Sequence, residues 1–159
     1  MDELLEILEK NNKLTTDDIS KMLGKSAEEI EKAIKEYEEK NIILGYKTII
    51  NWDKTDKEAV TAIIELKITP EIGKGFDNIA EKIYKYKEVK SCFLMSGGYD
   101  LSVVVEGKNM KEVAYFVAEK LAVQDSVIST ATHFVLKKYK DNEVIFKDKE
   151  KDDREAIIL

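Results

Sequence analysis

Apolar residues recur at helical spacing through the first forty positions and at every second position through much of the rest. Leu4, Leu5, Ile7 and Leu8 open a helical pattern that Asn11-Asn12-Lys13 interrupts. Thr15 or Thr16 is placed to cap a short second helix carrying Ile19, Met22 and Leu23, with Gly24 at its end. Ser26-Ala27-Glu28-Glu29 reads as an S-x-x-E capping box, opening a third helix with Ile30, Ala33, Ile34 and Tyr37 on one face. Two helices joined by a short glycine-containing turn outline a helix-turn-helix. Residues 42–50, Ile-Ile-Leu-Gly-Tyr-Lys-Thr-Ile-Ile, suggest two short strands around Gly45, a β-hairpin wing on that helix pair.

Residues 51–58 (NWDKTDKE) carry no apolar period and read as a linker. Beyond them Val60, Ala62, Ile64, Leu66 and Ile68 alternate as in a half-buried strand that ends at Thr69-Pro70. Phe76, Ile79, Ala80 and Ile83 form a helix face. Strands Val89–Met95 and Tyr99–Glu106 flank a tight Ser96-Gly97-Gly98 turn. Asn109 to Glu112 forms a second capping box, before a helix with Val113, Phe116, Val117 and Leu121 on one face. Val127–Tyr139 reads as a last long strand. The expectation is an α+β chain: a winged helix-turn-helix at 1–50, a linker at 51–58, and a β-α-β-β-α-β ferredoxin-like domain at 59–140. Residues 141–159 form a charged tail with an apolar end, expected to dock on some surface. With both helices on one face of the sheet, the other face is expected to hold Ile63, Val104, Thr130, Thr132 and Phe134. That is too apolar for open water and calls for a second copy packed sheet to sheet.

Composition narrows the chemistry. The 159 residues are 43% hydrophobic, too apolar for a disordered chain despite 36% charged residues. One Cys and one His allow neither an internal disulfide nor a His/Cys zinc cage, so no metal and no cofactor is expected. The longest apolar runs are only a few residues and the amino-terminal segment is acidic, so neither a membrane span nor a secretion signal is expected, and the location is expected to be cytoplasmic. There is no glycine-rich phosphate loop and no nucleophile elbow, and enzymatic activity is not expected. Cys92 lacks a basic neighbour and reads as a small buried residue. His133 reads as a packed or interface histidine, and Tyr46 and Trp52 as packing near the linker.

With these elements in order, the chain resembles the Lrp/AsnC ("feast/famine") transcriptional regulators over roughly residues 1–140. The most specific marks are the Gly97-Gly98-Tyr99-Asp100 turn followed by alternating apolar residues, and Val127-Ile128-Ser129-Thr130-Ala131-Thr132 opening the last strand. The resemblance implies a non-enzymatic regulator of double-stranded DNA, dimeric through its second domain and able to build octamers. It also implies an amino acid or related effector bound near Gly97, Gly98, Tyr99, Asp100, Thr130 and Thr132. Glycines in the turn expose backbone N–H groups to a carboxylate, and Asp100 is placed to accept an ammonium group. A purely structural turn, with Asp100 bonded to backbone, is the other reading of the same residues.

Charge departs from the family pattern. Net charge is −6, and Arg154 is the only arginine. Residues 1–58 hold ten lysines against fifteen acids, a net of −5 for the half expected to meet DNA. Phosphate neutralisation dominates DNA affinity, so an acidic reader opposes tight binding unless its charges are segregated. Lys21, Lys25, Lys32, Lys35 and Lys47 are the candidates for one exposed basic surface, with Ser26 and Thr16 able to reach phosphate beyond their capping roles. Two alternatives stand beside the leading function. One is a metabolite-binding oligomer with weak or no DNA binding; the other is an enzyme like the sirohaem decarboxylases, for which His133 and Arg154 are a thin complement of groups.

Overall fold

The computed structural model describes residues 3–70, 73 and 75–146, and the chain divides at Ile49/Ile50 into two compact units. The first holds helices α1 (Glu3–Lys10), α2 (Thr16–Leu23) and α3 (Ala27–Glu39). Thr15 rather than Thr16 caps α2: its side chain accepts from the Asp18 N–H, and the Asp18 carboxylate returns the bond to the Thr15 N–H. Gly24 ends α2 at φ +64, the left-handed cap that glycine adopts without a Cβ penalty. Ser26 and Glu29 form the reciprocal box expected at the start of α3. Leu4, Ile19 and Ile30, one from each helix, are fully buried, with Ile7, Leu8, Leu14, Leu23, Ala33, Ile34 and Tyr37 packed around them.

The expected wing is not a β-hairpin. Residues 44–50 carry no strand pairing among the described residues. The N–H groups of Ile42 and Ile43 bond to the Tyr37 carbonyl, and the Tyr46 hydroxyl donates to Glu38 at 3.0 Å. The chain is therefore tied back to the end of α3. A two-stranded ribbon with no sheet to join is marginal in water, whatever its β propensity.

In the second unit, strands β1 (Val60–Ile68), β2 (Val89–Leu94), β3 (Leu101–Gly107) and β4 (Val127–Phe134) form one antiparallel sheet in the order β2-β3-β1-β4. Helices α4 (Asp77–Tyr84) and α5 (Met110–Phe116) complete the β-α-β-β-α-β order. The last turns of α5, Val117–Leu121, widen to a π-helix, which keeps Val117 and Leu121 buried alongside Val113 and Phe116. One sheet face, with Ala62, Ile64, Leu66, Ile68, Leu101, Val103 and Val105, packs on Ile79 and Ile83 of α4 and on the α5 residues to form the core. At the start of α5, Asn109 accepts from the Glu112 N–H, but the Glu112 carboxylate takes the Lys108 N–H, one residue before the one a full capping box would use.

The strand register corrects the expected composition of the open face. Phe134, Thr132 and Thr130 pair directly with Ala62, Ile64 and Leu66, so they share the helix-covered face. Phe134 packs on the core. The open face instead carries Ile63, Glu65 and Lys67 of β1, Val104 and Glu106 of β3, Phe93 of β2, and Ala131 and His133 of β4. His133 Nε2 lies 3.0 Å from the Glu65 carboxylate on this face. Ile63 is 39% and Phe93 53% exposed, so an apolar centre survives in a more polar surround than the alternation suggested.

The last strand also stops earlier than expected. Among the described residues after Phe134 only Val135 still bonds to β1, and the chain turns into a small hairpin, β5 (Lys140–Asp141) with β6 (Val144–Ile145). The expected docking of the tail's apolar end falls on residues outside those described.

Candidate functional site

The turn between β2 and β3 is held at both ends. Met95 N–H donates to the Asp100 carbonyl at 2.8 Å, and Asp100 N–H donates to the Leu66 carbonyl at 2.9 Å. Between these bonds the peptide N–H groups of residues 96–99 have no acceptor among the described residues. Gly97 sits at φ +156 with nothing within 4 Å of an added Cβ, so backbone conformation, not space, favours glycine there. Gly98 has neither constraint.

The Asp100 side chain does not bond within its own turn. One carboxylate oxygen accepts the Ile68 N–H at 2.8 Å and the other lies 3.2 Å from Lys67 Nζ. The pairing of β1 with β4 shifts register between Lys67 and Ile68, and Asp100 supplies an acceptor to the amide at that irregularity. The Ile68 N–H, more than the Lys67 ammonium, holds the Asp100 carboxyl below the ordinary carboxylate range. Each Asp100 oxygen thus takes one donor already, and with its side chain only 18% exposed Asp100 presents little of its carboxylate to a ligand's ammonium group. Thr130 and Thr132 lie across β1 from Asp100 on the helix-covered face, while Lys67 alternates onto the open one. Within one chain the candidate residues therefore divide between two faces. Sequence reading missed Lys67; its signal was the lone basic position at the end of an otherwise alternating strand.

In the first unit Lys21, Lys25, Lys32, Lys35 and Lys47 are all exposed. Lys32 and Lys35 lie on the face of α3 opposite Ile30, together with Glu28 and Glu39. Lys35 pairs with Glu39 at 3.9 Å and Lys40 with Glu36 at 3.3 Å, both exposed. The Ser26 hydroxyl is engaged with Glu29, and both Ser26 bonds hold the Glu29 carboxyl below its ordinary value. Thr16 Oγ1 reaches Glu31 only at 3.5 Å. Cys92 is half-buried, and burial raises its thiol pKa, which argues against a nucleophile. Among the described residues no His/Cys/Asp/Glu group is arranged to hold a metal ion, and no helix is long and apolar enough to cross a membrane.

Residues 61–145 match the model of the Lrp/AsnC ligand binding domain. The chain belongs to the Lrp/AsnC family of transcriptional regulators. Over 156 residues it is 47% identical to the uncharacterized HTH-type transcriptional regulator YugG of Bacillus subtilis, covering 98% of this chain and 94% of that one. It is 32% identical over 137 residues to the HTH-type transcriptional regulator LrpA of Pyrococcus horikoshii, covering 86% and 94%. Among solved structures, a transcriptional regulator of Neisseria meningitidis in complex with L-methionine superposes with a TM-score of 0.72 at 23% identity, covering 89% of this chain and 93% of that one. This Lrp/AsnC protein is thus a regulator and not an enzyme, which sets aside the sirohaem decarboxylase alternative.

Proposed function

We propose that this Lrp/AsnC regulator binds duplex DNA in the cytoplasm through its helix-turn-helix, assembles through the open face of its sheet, and responds to an amino acid at the 96–100 turn. The observation that carries the reading is that turn: exposed, with four unpartnered N–H groups, inside the stretch that matches the family's ligand-binding model. That a structurally similar regulator was solved with L-methionine supports an amino acid as the effector class. Lys21, Lys25, Lys32, Lys35 and Lys47 are the proposed phosphate contacts, and Ser26 adds a hydroxyl at the start of α3. With acids outnumbering lysines in each reader, affinity comes from several readers in one assembly binding neighbouring sites, whether a dimer or an octamer. An effector that prefers one assembly state changes the spacing of the readers and hence DNA occupancy.

The test is selection of duplex fragments from the host genome by the full chain at 50 mM salt, with and without the twenty amino acids. Retention that weakens steeply towards 200 mM salt and changes with one amino acid is the expected result. The glutamates interleaved with the lysines on α3 favour one other reading, a metabolite-binding oligomer with little DNA affinity. Retention of no duplex at 50 mM salt would establish it.

A further inference from the structure

Asp100 was the natural acceptor for an effector's ammonium group, but its carboxylate already serves the fold through both oxygens and its side chain is only 18% exposed. One oxygen holds the Ile68 N–H and the other meets Lys67 Nζ. The Lys67 ammonium is differently placed. Its side chain is 40% exposed against 18% for Asp100, and the Asp100 oxygen is its one acceptor among the described residues, which leaves N–H donors for another partner. In the four residues before Asp100, the N–H groups of 96–99 also lack acceptors among the described residues. The more exposed polar groups at this corner are therefore donors. A cluster of free peptide N–H groups beside an ammonium suits an anion with two oxygens.

We infer that Lys67 is the specificity-determining cation of the effector site: with the peptide N–H groups of residues 96–99 it takes the effector's carboxylate, while Asp100 positions Lys67 and does not contact the effector's ammonium. This rests on the reading of the 96–100 turn as the effector site. It makes the carboxylate, not the amine, the recognised group of the ligand.

Gly98 offers a second, independent handle. Its φ is ordinary and an added Cβ would meet nothing within 4 Å, so no constraint within the described chain favours glycine there. A methyl group at 98 is expected to leave folding alone and to obstruct an anion approaching the neighbouring N–H groups.

The experiment screens the twenty L-amino acids by thermal shift and calorimetry on the full chain, then takes the tightest binder together with its carboxamide and its N-acetyl derivative. The carboxamide should lose at least about tenfold in affinity, as expected for removal of a charge-assisted contact, and the N-acetyl derivative much less. Lys67→Met should cost a similar factor, Lys67→Arg should restore part of it, and Gly98→Ala should weaken binding without lowering the melting temperature of the free protein. If Lys67→Met binds as tightly as the parent, or if acetylation abolishes binding while the carboxamide retains it, the inference is overturned and the effector site stands. If no amino acid binds the parent chain, the effector reading itself fails and this inference falls with it.

Discussion

Ile30→Ala separates the two units experimentally. Ile30 is 1% exposed and is, with Leu4 and Ile19, one of the three buried side chains among the described residues of the first unit. Removing three buried carbons and leaving a cavity costs about 2–5 kcal/mol. A unit of 49 residues, at ordinary stability per residue, holds about 2.5–7 kcal/mol in total. The substitution therefore removes between a third and all of that stability. At roughly 4–8 °C per kcal/mol for a small domain, the midpoint of the unit should fall by at least about 8 °C. Two probes report on different parts of the chain. Helical circular dichroism is weighted towards α1 to α3, whereas Trp52, the only tryptophan, lies in the second unit. The expected result is a biphasic loss of ellipticity whose first phase moves down, with the fluorescence transition unchanged. Ile64→Ala, in the sheet core, should do the reverse. Coincident shifts of both signals in the two variants would refute the idea that each unit is held by its own core, and an unmoved first phase would refute the role given to Ile30.

Four further outcomes are expected. Ser26→Ala, which removes the hydroxyl from the capping box of α3, should destabilise the first unit by about 1 kcal/mol in urea denaturation. Lys32→Glu and Lys35→Glu should each weaken duplex binding and lower the slope of log K against log salt by about one, measured by fluorescence anisotropy. Phe93→Glu, which places a carboxylate among Ile63 and Val104 on the open face, should shift sedimentation towards the monomer, and an unchanged oligomer would show that assembly uses another surface. Because Asp100 titrates below the ordinary carboxylate value when folded, its stabilisation is complete above the unfolded value, near pH 4, and is lost as pH falls through the lower folded one. The stability gap between the parent chain and Asp100→Asn should accordingly close as pH falls below about 4 in urea titrations, and a constant gap would rule the contact out.

The fold was legible wherever a local pattern had one structural solution. The S-x-x-E box could only open a helix, and Gly24 could only close one. The alternation from Val60 to Ile68 fixed both the strand and its buried face, because every second residue was apolar while three of the four between them, Thr61, Glu65 and Lys67, were polar. β4 lacked that redundancy. Val127 to Phe134 mixes Ser, Thr, Ala and His with three large apolar residues, so either parity made an acceptable face. Pairing Ala62 with Phe134 decided it, and that choice belongs to the neighbouring strand rather than to β4 itself. The wing failed for a related reason. Residues 42–50 have strand-forming side chains but no partner strand among the described residues, and propensity without a ladder does not make a sheet.

The site shows the same limit in its chemistry. A turn of Gly97-Gly98-Tyr99-Asp100 announces exposed amides and a carboxylate, and from sequence both look available to a ligand. Only the pairing of β1 shows that the carboxylate is already taken, because the register shift after Lys67 exposes an amide for Asp100 to hold. Engaging that amide brings Asp100 within 3.2 Å of Lys67 Nζ, thirty-three positions away in the chain. The turn then presents donors more openly than the carboxylate, with Lys67 40% exposed against 18% for Asp100. A residue's chemical type was readable in one dimension, but its availability depended on contacts between distant segments. The same distinction governs the acidic helix-turn-helix: net charge says how much of each sign is present, and only the pairing of each lysine says how much of it remains for phosphate.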